Sequence, residues 1–517
     1  MTSHRLAIFT SLALVTAAGC TVGPNYRAPQ TSMPASFDTG PTTMPTTGPS
    51  ISSTTQPQVD LATWWKSLGD PELNSLIERA IANNLDLRIA LTRLQEARTQ
   101  ENIVGGGAFP QLNFSAGAAR GTGSDSVRGR VNGPLHAAEN TSGLKEITHA
   151  AGFDATWEID LFGRYRHEME GVRADVEAVA AMRNAVLISL ISEVARAYVD
   201  QRSLRMRLEV AQQSLAILQQ SVDLTGARLA QGISAELDVA LARRQLASVQ
   251  ATIAPLQAAI AQSQRRIAVL LGRMPQELDA ELQGLGALPD PPAEVQPGLP
   301  VELLRRRPDI VESERNLAAS TARLGVAISN LYPRVSLIGA FGVQGQGLGR
   351  TPVSYKSIWS LGPSLYWPVL DFGVLDSIIE RQDLRTRELL YNFQRTVLEA
   401  VEEVDNAISN YAAQRDRLDR LDAAVLASQR AVQLATQGYE GGFTDYLNVL
   451  DAQRQLYELQ DQQAVARQTV TTQYIALYKS LGGGWENYQQ IPAIRSPQPA
   501  IIAAGREAIA PTTQASR

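Results

Sequence analysis

A mainly α fold with β, built from a duplicated unit that supplies four membrane-crossing β-strands and two pairs of very long helices per chain, is what this sequence predicts. Three observations carry that expectation. Motifs recur at a fixed offset of 210 residues (position 157 to position 367), short segments alternate apolar and polar residues, and residues 163–231 and 373–441 contain no proline.

The duplication is legible in several places. Trp157-Glu158-Ile159-Asp160-Leu161-Phe162-Gly163 recurs as Trp367-Pro368-Val369-Leu370-Asp371-Phe372-Gly373. Gly232, Leu237, Val239, Ala242, Arg244, Gln245 and Leu246 return as Gly442, Leu447, Val449, Ala452, Arg454, Gln455 and Leu456, and Leu271-Gly272 returns as Leu481-Gly482. A period this long is outside the range of solenoid repeats, so the chain is two copies of one larger element. The expected organisation is a signal peptide over 1–19, a lipidated tether over 20–60, a first repeat over 61–272, a linker over 273–300, a second repeat over 301–482 and a tail over 483–517. Each repeat opens with a helix. The first then runs through a β-hairpin at 108–162, a long helix at 163–231 and a return helix at 235–271; the second has the hairpin at 333–371 and helices at 373–441 and 445–481.

The N-terminus reads as a targeting segment: His4 and Arg5, an apolar run from Leu6 to Val15, then small residues before Cys20. That run is too short to span a bilayer, which takes about 20 residues. Cys20 is the only cysteine, so no intrachain disulfide can form. Its place directly after Ala17-Ala18-Gly19 resembles a bacterial lipobox, with Ala17 where Leu is usual, which implies a covalent lipid on Cys20. The Thr-, Ser- and Pro-rich stretch that follows reads as a tether. No later apolar run matches a membrane helix, the longest being Ala185 to Ile191, so a helical span is not expected. A net charge of −5 without blocks of like charge gives no footing for nucleic acid.

Asp70-Pro71-Glu72 opens the first helix, with proline suited to the first turn and acids to the positive end of the dipole. It is expected to run to Gly105-Gly106-Gly107 and Phe109-Pro110, and its counterpart from Val301 to Asn330 and Tyr332-Pro333. Strands follow. Ala151, Phe153, Ala155, Trp157 and Ile159 alternate with Gly152, Asp154, Thr156 and Glu158. Val335 to Val343 and Trp359 to Val369 keep the same period, and Leu112, Phe114, Ala116 and Ala118 give a weaker fourth example. This is the length and pattern of a transmembrane barrel strand, though a half-buried soluble sheet shows the same alternation. Trp157, Tyr366 and Trp367 stand at strand ends, where an aromatic girdle would meet the membrane interface. Four strands cannot close a barrel, and open edges in lipid leave backbone groups unpaired, so the chain is expected to share its barrel with other subunits.

The long helices keep coiled-coil spacing at Leu204, Leu208, Ala211, Leu215, Leu218 and Val222, and at Val397, Val401, Val404, Ile408 and Tyr411. Pro255 inside the return helix is expected to kink or break it. The hairpin tips are Gly232-Ile233-Ser234 and Gly442-Phe443-Thr444, where glycine ends one helix and Ser234 or Thr444 is suited to cap the next.

Together, Cys20-Thr21-Val22-Gly23-Pro24-Asn25-Tyr26, Trp64-Trp65 with Gly69-Asp70-Pro71-Glu72-Leu73, and the duplicated Trp-x-[Ile/Val]-x-x-Phe-Gly resemble the TolC-like outer-membrane factors. Among them the chain is most similar to the lipoprotein, NodT-type branch serving resistance–nodulation–division (RND) efflux pumps. The resemblance covers roughly residues 20–490. It implies a homotrimer with a shared twelve-stranded barrel among outer-membrane lipids, a periplasmic helical tunnel, and hairpin tips that meet a periplasmic adaptor protein bridging to an inner-membrane pump. It also implies that Leu447, Asp451 and Arg454 form the periplasmic gate. Their spacing places them on one helical face, and the first copy has Leu237, Leu241 and Arg244 there, without the carboxylate.

No enzyme constellation is present. His4, His136, His149 and His167 lack metal-ligand spacing. Gly342 to Gly349 lacks the Lys-Ser/Thr of a phosphate-binding loop. The expected function is a passive exit duct of a tripartite efflux system, with neither metal nor cofactor; the alternatives are the outlet of a type I protein-secretion system or a periplasmic coiled-coil scaffold that forms no pore.

Overall fold

The computed structural model describes residues 21–30, 34, 60–122, 145–284, 287–292, 300–348 and 353–488. The signal segment, Cys20, His136 and most of the tether and tail lie outside the described residues. In chain order the elements are α1 (Pro71–Asn83), α2 (Leu85–Gly107), β1 (Gln111–Thr122), β2 (Lys145–Ile159), α3 (Arg164–Ala230), α4 (Glu236–Leu270), α5 (Pro300–Arg306), α6 (Pro308–Ser329), β3 (Arg334–Leu348), β4 (Ser354–Tyr366), α7 (Val374–Glu440) and α8 (Tyr446–Ser480). The described residues divide into two compact units, one drawn from 21–30, 94–122, 145–180, 312–348 and 353–395, the other from 34, 60–93, 181–284, 287–292, 300–311 and 396–488.

The first unit holds one antiparallel sheet in the order β1-β2-β3-β4. Gln111 faces Thr156 in the first hairpin and Arg334 faces Tyr366 in the second. The second hairpin therefore reproduces the first when β1 is shifted by 223 residues onto β3 (111 to 334) and β2 by 210 onto β4 (156 to 366). The two shifts differ because the loop between the strands is shorter in the second copy. The N-terminal segment docks in this unit. Val22 N donates to Phe162 O at 3.2 Å, and Tyr26 Oη donates to Glu314 Oε1 at 2.7 Å. His167, fully buried, places Nε2 3.0 Å from Val22 O and Nδ1 2.9 Å from Glu170 Oε2. Gly325 lies under that imidazole, where an added Cβ would fall 2.7 Å from the ring.

In the second unit, Trp64 and Trp65 meet edge to face and Trp64 stacks on Tyr478 with centroids 5.6 Å apart. Around them Leu73, Leu76 and Ile77 of α1, Leu187, Ile191 and Val194 of α3, and Tyr474 of α8 form the largest core. Asp70 caps α1, accepting from Glu72 N at 2.9 Å and Leu73 N at 3.3 Å, and also accepts from Tyr198 Oη and Arg202. The heptad positions of α3 pack as their spacing requires: Ala211 and Leu218 are buried with Val249 and Leu256 of α4.

Four sequence expectations are corrected. The opening helices do not run unbroken. Asn84 adopts an extended ψ of 134° and caps α2 by accepting from Leu87 N at 2.9 Å. The second-copy break falls at Arg307, where the following Pro308 disfavours helical geometry for the residue before it. Pro255 does not break α4, which continues from Glu236 to Leu270; its ring is exposed, so the carbonyl it leaves unpaired can be hydrated. The helix caps at the tips are Ala235 and Asp445 without side-chain bonds, and Ser234 Oγ donates instead to Asp238 Oδ2 at 2.7 Å. Finally, α3 does contain an 18-residue window of mean hydropathy 1.5, enough by length and composition to cross a membrane. More than half of that window is buried in protein, which is the position of a core helix.

Candidate functional site

The alternation along the strands sorts the sheet into two faces, because successive side chains point to opposite sides. Phe114 faces Phe153, Phe153 faces Phe341, and Phe341 faces Trp359, so one aromatic row crosses all four strands. Phe114 and Phe153 are in ring contact at 5.1 Å. Leu112, Leu337, Val343, Leu361 and Leu365 extend the same face, and all of these large side chains are exposed. The other face carries Asn113, Asp154, Thr156, Glu158, Ser336 and Ser364, with Asn113 Nδ2 donating to Asp154 Oδ2 at 3.3 Å. One side of the sheet suits hydrocarbon and the other suits water.

At the base of the sheet the two repeats use one device. Trp157 Nε1 donates to Ala108 O and Trp367 Nε1 donates to Leu331 O, each at 3.0 Å. Each indole thereby satisfies its donor on the chain just before its own hairpin, leaving the apolar ring on the lipid-type face. Gly163 and Gly373, at φ 85° and 82°, then turn the strand segments into α3 and α7. Tyr366, the third expected interface aromatic, is placed otherwise. It faces Arg334 and shares the polar face with Ser364 and Ser336.

At the helical tips, Gly232 and Gly442 adopt φ 73° and 74°. Ile233 N donates to Arg228 O at 2.9 Å and Phe443 N to Gly438 O at 2.8 Å, the six-to-one bond of a Schellman motif in both copies. Ile233 and Phe443 project outward, exposed. Arg228 ties the tips together, donating to Tyr439 O at 3.1 Å while its guanidinium covers the Tyr439 ring at 4.5 Å. Under the tips Tyr439, Tyr446, Val449 and Leu450 form a buried cluster with Ala242. Burial pushes the Tyr446 hydroxyl up to about 12.

Leu447, Asp451 and Arg454 lie on the stripe of α8 turned away from that cluster, all well exposed. Arg454 Nη2 donates to Asp451 Oδ1 at 2.9 Å, so the two charges pair within one helix. Among the described residues no cluster of His, Cys, Asp or Glu could hold a metal ion. Reading the sequence alone missed Phe109 and Phe372, both exposed at the base of the sheet. Their signal was available, since Phe109-Pro110 matches Tyr332-Pro333 and Phe372 matches Phe162.

The model of the family described as outer membrane efflux protein matches residues 76–273 and 299–483. Over 467 residues the chain is 31% identical to Nodulation protein T of Rhizobium leguminosarum bv. trifolii, covering 90% of this chain and 95% of that protein. It is 32% identical over 425 residues to the pyoverdine export outer membrane protein OpmQ of Pseudomonas putida, covering 82% and 88%. The solved outer-membrane channel OprN is 36% identical with a TM-score of 0.77, covering 90% of this chain and all of that one.

Proposed function

This chain belongs to the outer membrane efflux protein family, and from that premise we propose that it is the exit duct of a tripartite pump, passing small molecules from a periplasmic adaptor and an RND-type inner-membrane transporter to the exterior. It is a channel of the outer membrane and not an enzyme. The observation that carries the duct reading is the two-faced sheet: an aromatic row left uncovered on one side, Asp154 and Glu158 on the other. A scaffold that formed no pore would have no use for that division.

Four strands with free edges at β1 and β4 need further copies to close, and three copies would give a twelve-stranded barrel. Trp157 and Trp367 anchor its inner rim. A lipid on Cys20 is in keeping with the docking of the next residues, since Thr21 lies against Gly163 at the strand-to-helix turn. The exposed tips at Gly232, Ile233, Ser234, Gly442, Phe443 and Thr444 form the adaptor-binding end, and Leu447, Asp451 and Arg454 the periplasmic gate. A polar lumen face leaves substrate choice to the pump.

The test is electrical. Purified full-length protein in planar lipid bilayers should give discrete conductance steps, and a strain lacking it should become more susceptible to exported toxic compounds. Oligomeric protein that inserts but conducts nothing would overturn the reading.

A further inference from the structure

We infer that the C-terminal tail folds back onto the body of its own chain, seating Ile501, Ile502 and Ile509 in an apolar groove beside the break between α1 and α2. The inference concerns the helical body and stands apart from the shared barrel and the pump proposed above.

The second repeat shows what such a place requires. Helices α4 and α8 end in the same way, Gly272 close to Asn83 O and Gly482 close to Arg306 O. Past Gly482 the second repeat fills the place from within. Gly484 lies against Trp65 and Ile191, and Trp485 Nε1 donates to Arg306 O at 3.0 Å. Pro308, Gly482 and Gly484 are all buried there. The first repeat has Pro275 at the position of Trp485, so no indole can cross the break. Gly272 is exposed, and Leu85 and Met274, at the positions of Pro308 and Gly484, are 62% and 70% exposed. With Val269 and the buried Leu271 they line a groove of about 670 Å³, and Arg88 and Arg273 stand at its rim.

Three observations make the tail the occupant. It leaves from the same core: Tyr488 packs on the cluster that contains Leu87, Leu270 and Leu271, and Arg183 Nη1 donates to Tyr488 O at 2.9 Å. At about 3.3 Å per residue the next twelve residues give about 40 Å of reach, more than the groove demands. The chemistry matches as well. Residues 489–517 carry isoleucine at 491, 494, 501, 502 and 509, with the last three set between Pro499 and Pro511. Burying them against Leu85, Val269 and Met274 removes apolar surface from water on both sides. Charge agrees too. Arg88 reaches Ala82 O at 3.4 Å and pairs with no carboxylate among the described residues, while Glu507, the one acid of the tail, lies two residues from Ile509.

Thiol reactivity in isolated outer membranes tests this. Met274→Cys should react with a water-soluble maleimide at least fivefold faster when residues 491–517 are deleted. Ile501→Asp combined with Ile502→Asp in the full-length chain should give a similar acceleration, and this variant carries the test should the deletion prevent assembly. Lys479→Cys, at the second-repeat position of Val269, should react at one rate with or without the tail. The unaltered protein, whose one thiol is Cys20, supplies the background. Equal rates for Met274→Cys in all three backgrounds would overturn the inference, and acceleration by the deletion but not by the aspartates would overturn the seating of Ile501 and Ile502. The occupant is then identified directly. A photoreactive benzoylphenylalanine at position 85 should capture tryptic peptide 496–506 or 507–517 of its own chain, read by mass spectrometry in samples mixed from isotopically light and heavy copies. Capture of a peptide from another copy, or of a different protein, would give the groove to that occupant and overturn the tail.

Discussion

Asn84 donates its side-chain amide to the carbonyl of Leu270 at 2.9 Å, fastening the break between α1 and α2 to the end of α4. The second repeat fastens the same place with a different residue, as Arg307 Nη1 donates to Ser480 O at 2.8 Å at the end of α8. Each contact satisfies a carbonyl that a helix end leaves without an intrahelical partner. Asn84→Ala also removes the cap on Leu87 N and should cost about 1–3 kcal/mol in chemical unfolding. Arg307→Ala should cost more, because it strips the ion-pair partner from Asp309 and Glu403 as well, and Arg307→Lys should recover only part of the loss.

The glycines beside these breaks admit no side chain. Gly272 has φ 67°, and a Cβ there would lie 2.6 Å from Asn83 O. Gly482 has φ 73° with Arg306 O 3.1 Å from the same imagined atom. Gly272→Ala should destabilise by about 1–3 kcal/mol from backbone conformation alone, plus the displacement of α1. Gly232→Ala, with the same sign of φ but open space around it, should lose less. Melting temperatures of the two variants give the comparison.

The charged pair at the proposed gate separates function from stability. Asp451 and Arg454 are solvent-exposed, and such pairs contribute about 0–1 kcal/mol. Asp451→Ala should therefore leave the melting temperature nearly unchanged while raising single-channel conductance, and Leu447→Ser should do the same. Leu237→Ser, its counterpart in the first repeat, is the control and should open the channel less. Equal conductance in all three and in the unaltered protein would remove the gate assignment.

Two buried tyrosines set an alkaline limit. Burial pushes Tyr411 and Tyr446 up to about 12 from an ordinary 10.0. Unfolded chains lose these protons first, so folding stability is intact below pH 10, falls as pH rises from there, and the loss is complete once the folded groups ionise near 12. Denaturant midpoints measured from pH 9 to 12 should show this slope, and Tyr411→Phe should reduce it.

Much of the fold could be read from the chain because it depends on periodicity. Phe153, Trp157 and their alternating neighbours specify a sheet with two unlike faces, and the step of Leu204 through Val222 specifies a packed helix seam. Other features depend on contacts between distant residues. Asn84 carries the local mark of an N-cap, accepting from Leu87 N, but the break it makes is fastened by Leu270, far along the chain. Tyr366 looks like a girdle residue beside Trp367, yet the alternation of the strand puts it on the opposite face from Leu365, and the β3–β4 register sets it against Arg334 there. The conspicuous Val22-Gly23 and Tyr26 acquire their reason once His167, Gly325 and Glu314 are seen to receive them.

Lipid contact along β3 offers the most direct trial of the central claim. Nitroxide labels placed singly from Val335 to Val343 in protein reconstituted into liposomes should show period-two accessibility. Labels at 335, 337, 339, 341 and 343 should collide with membrane-dissolved oxygen, and those at 336, 338, 340 and 342 with a water-soluble nickel chelate. Uniform accessibility to the chelate at every position would contradict a sheet that faces hydrocarbon on one side and a water-filled lumen on the other.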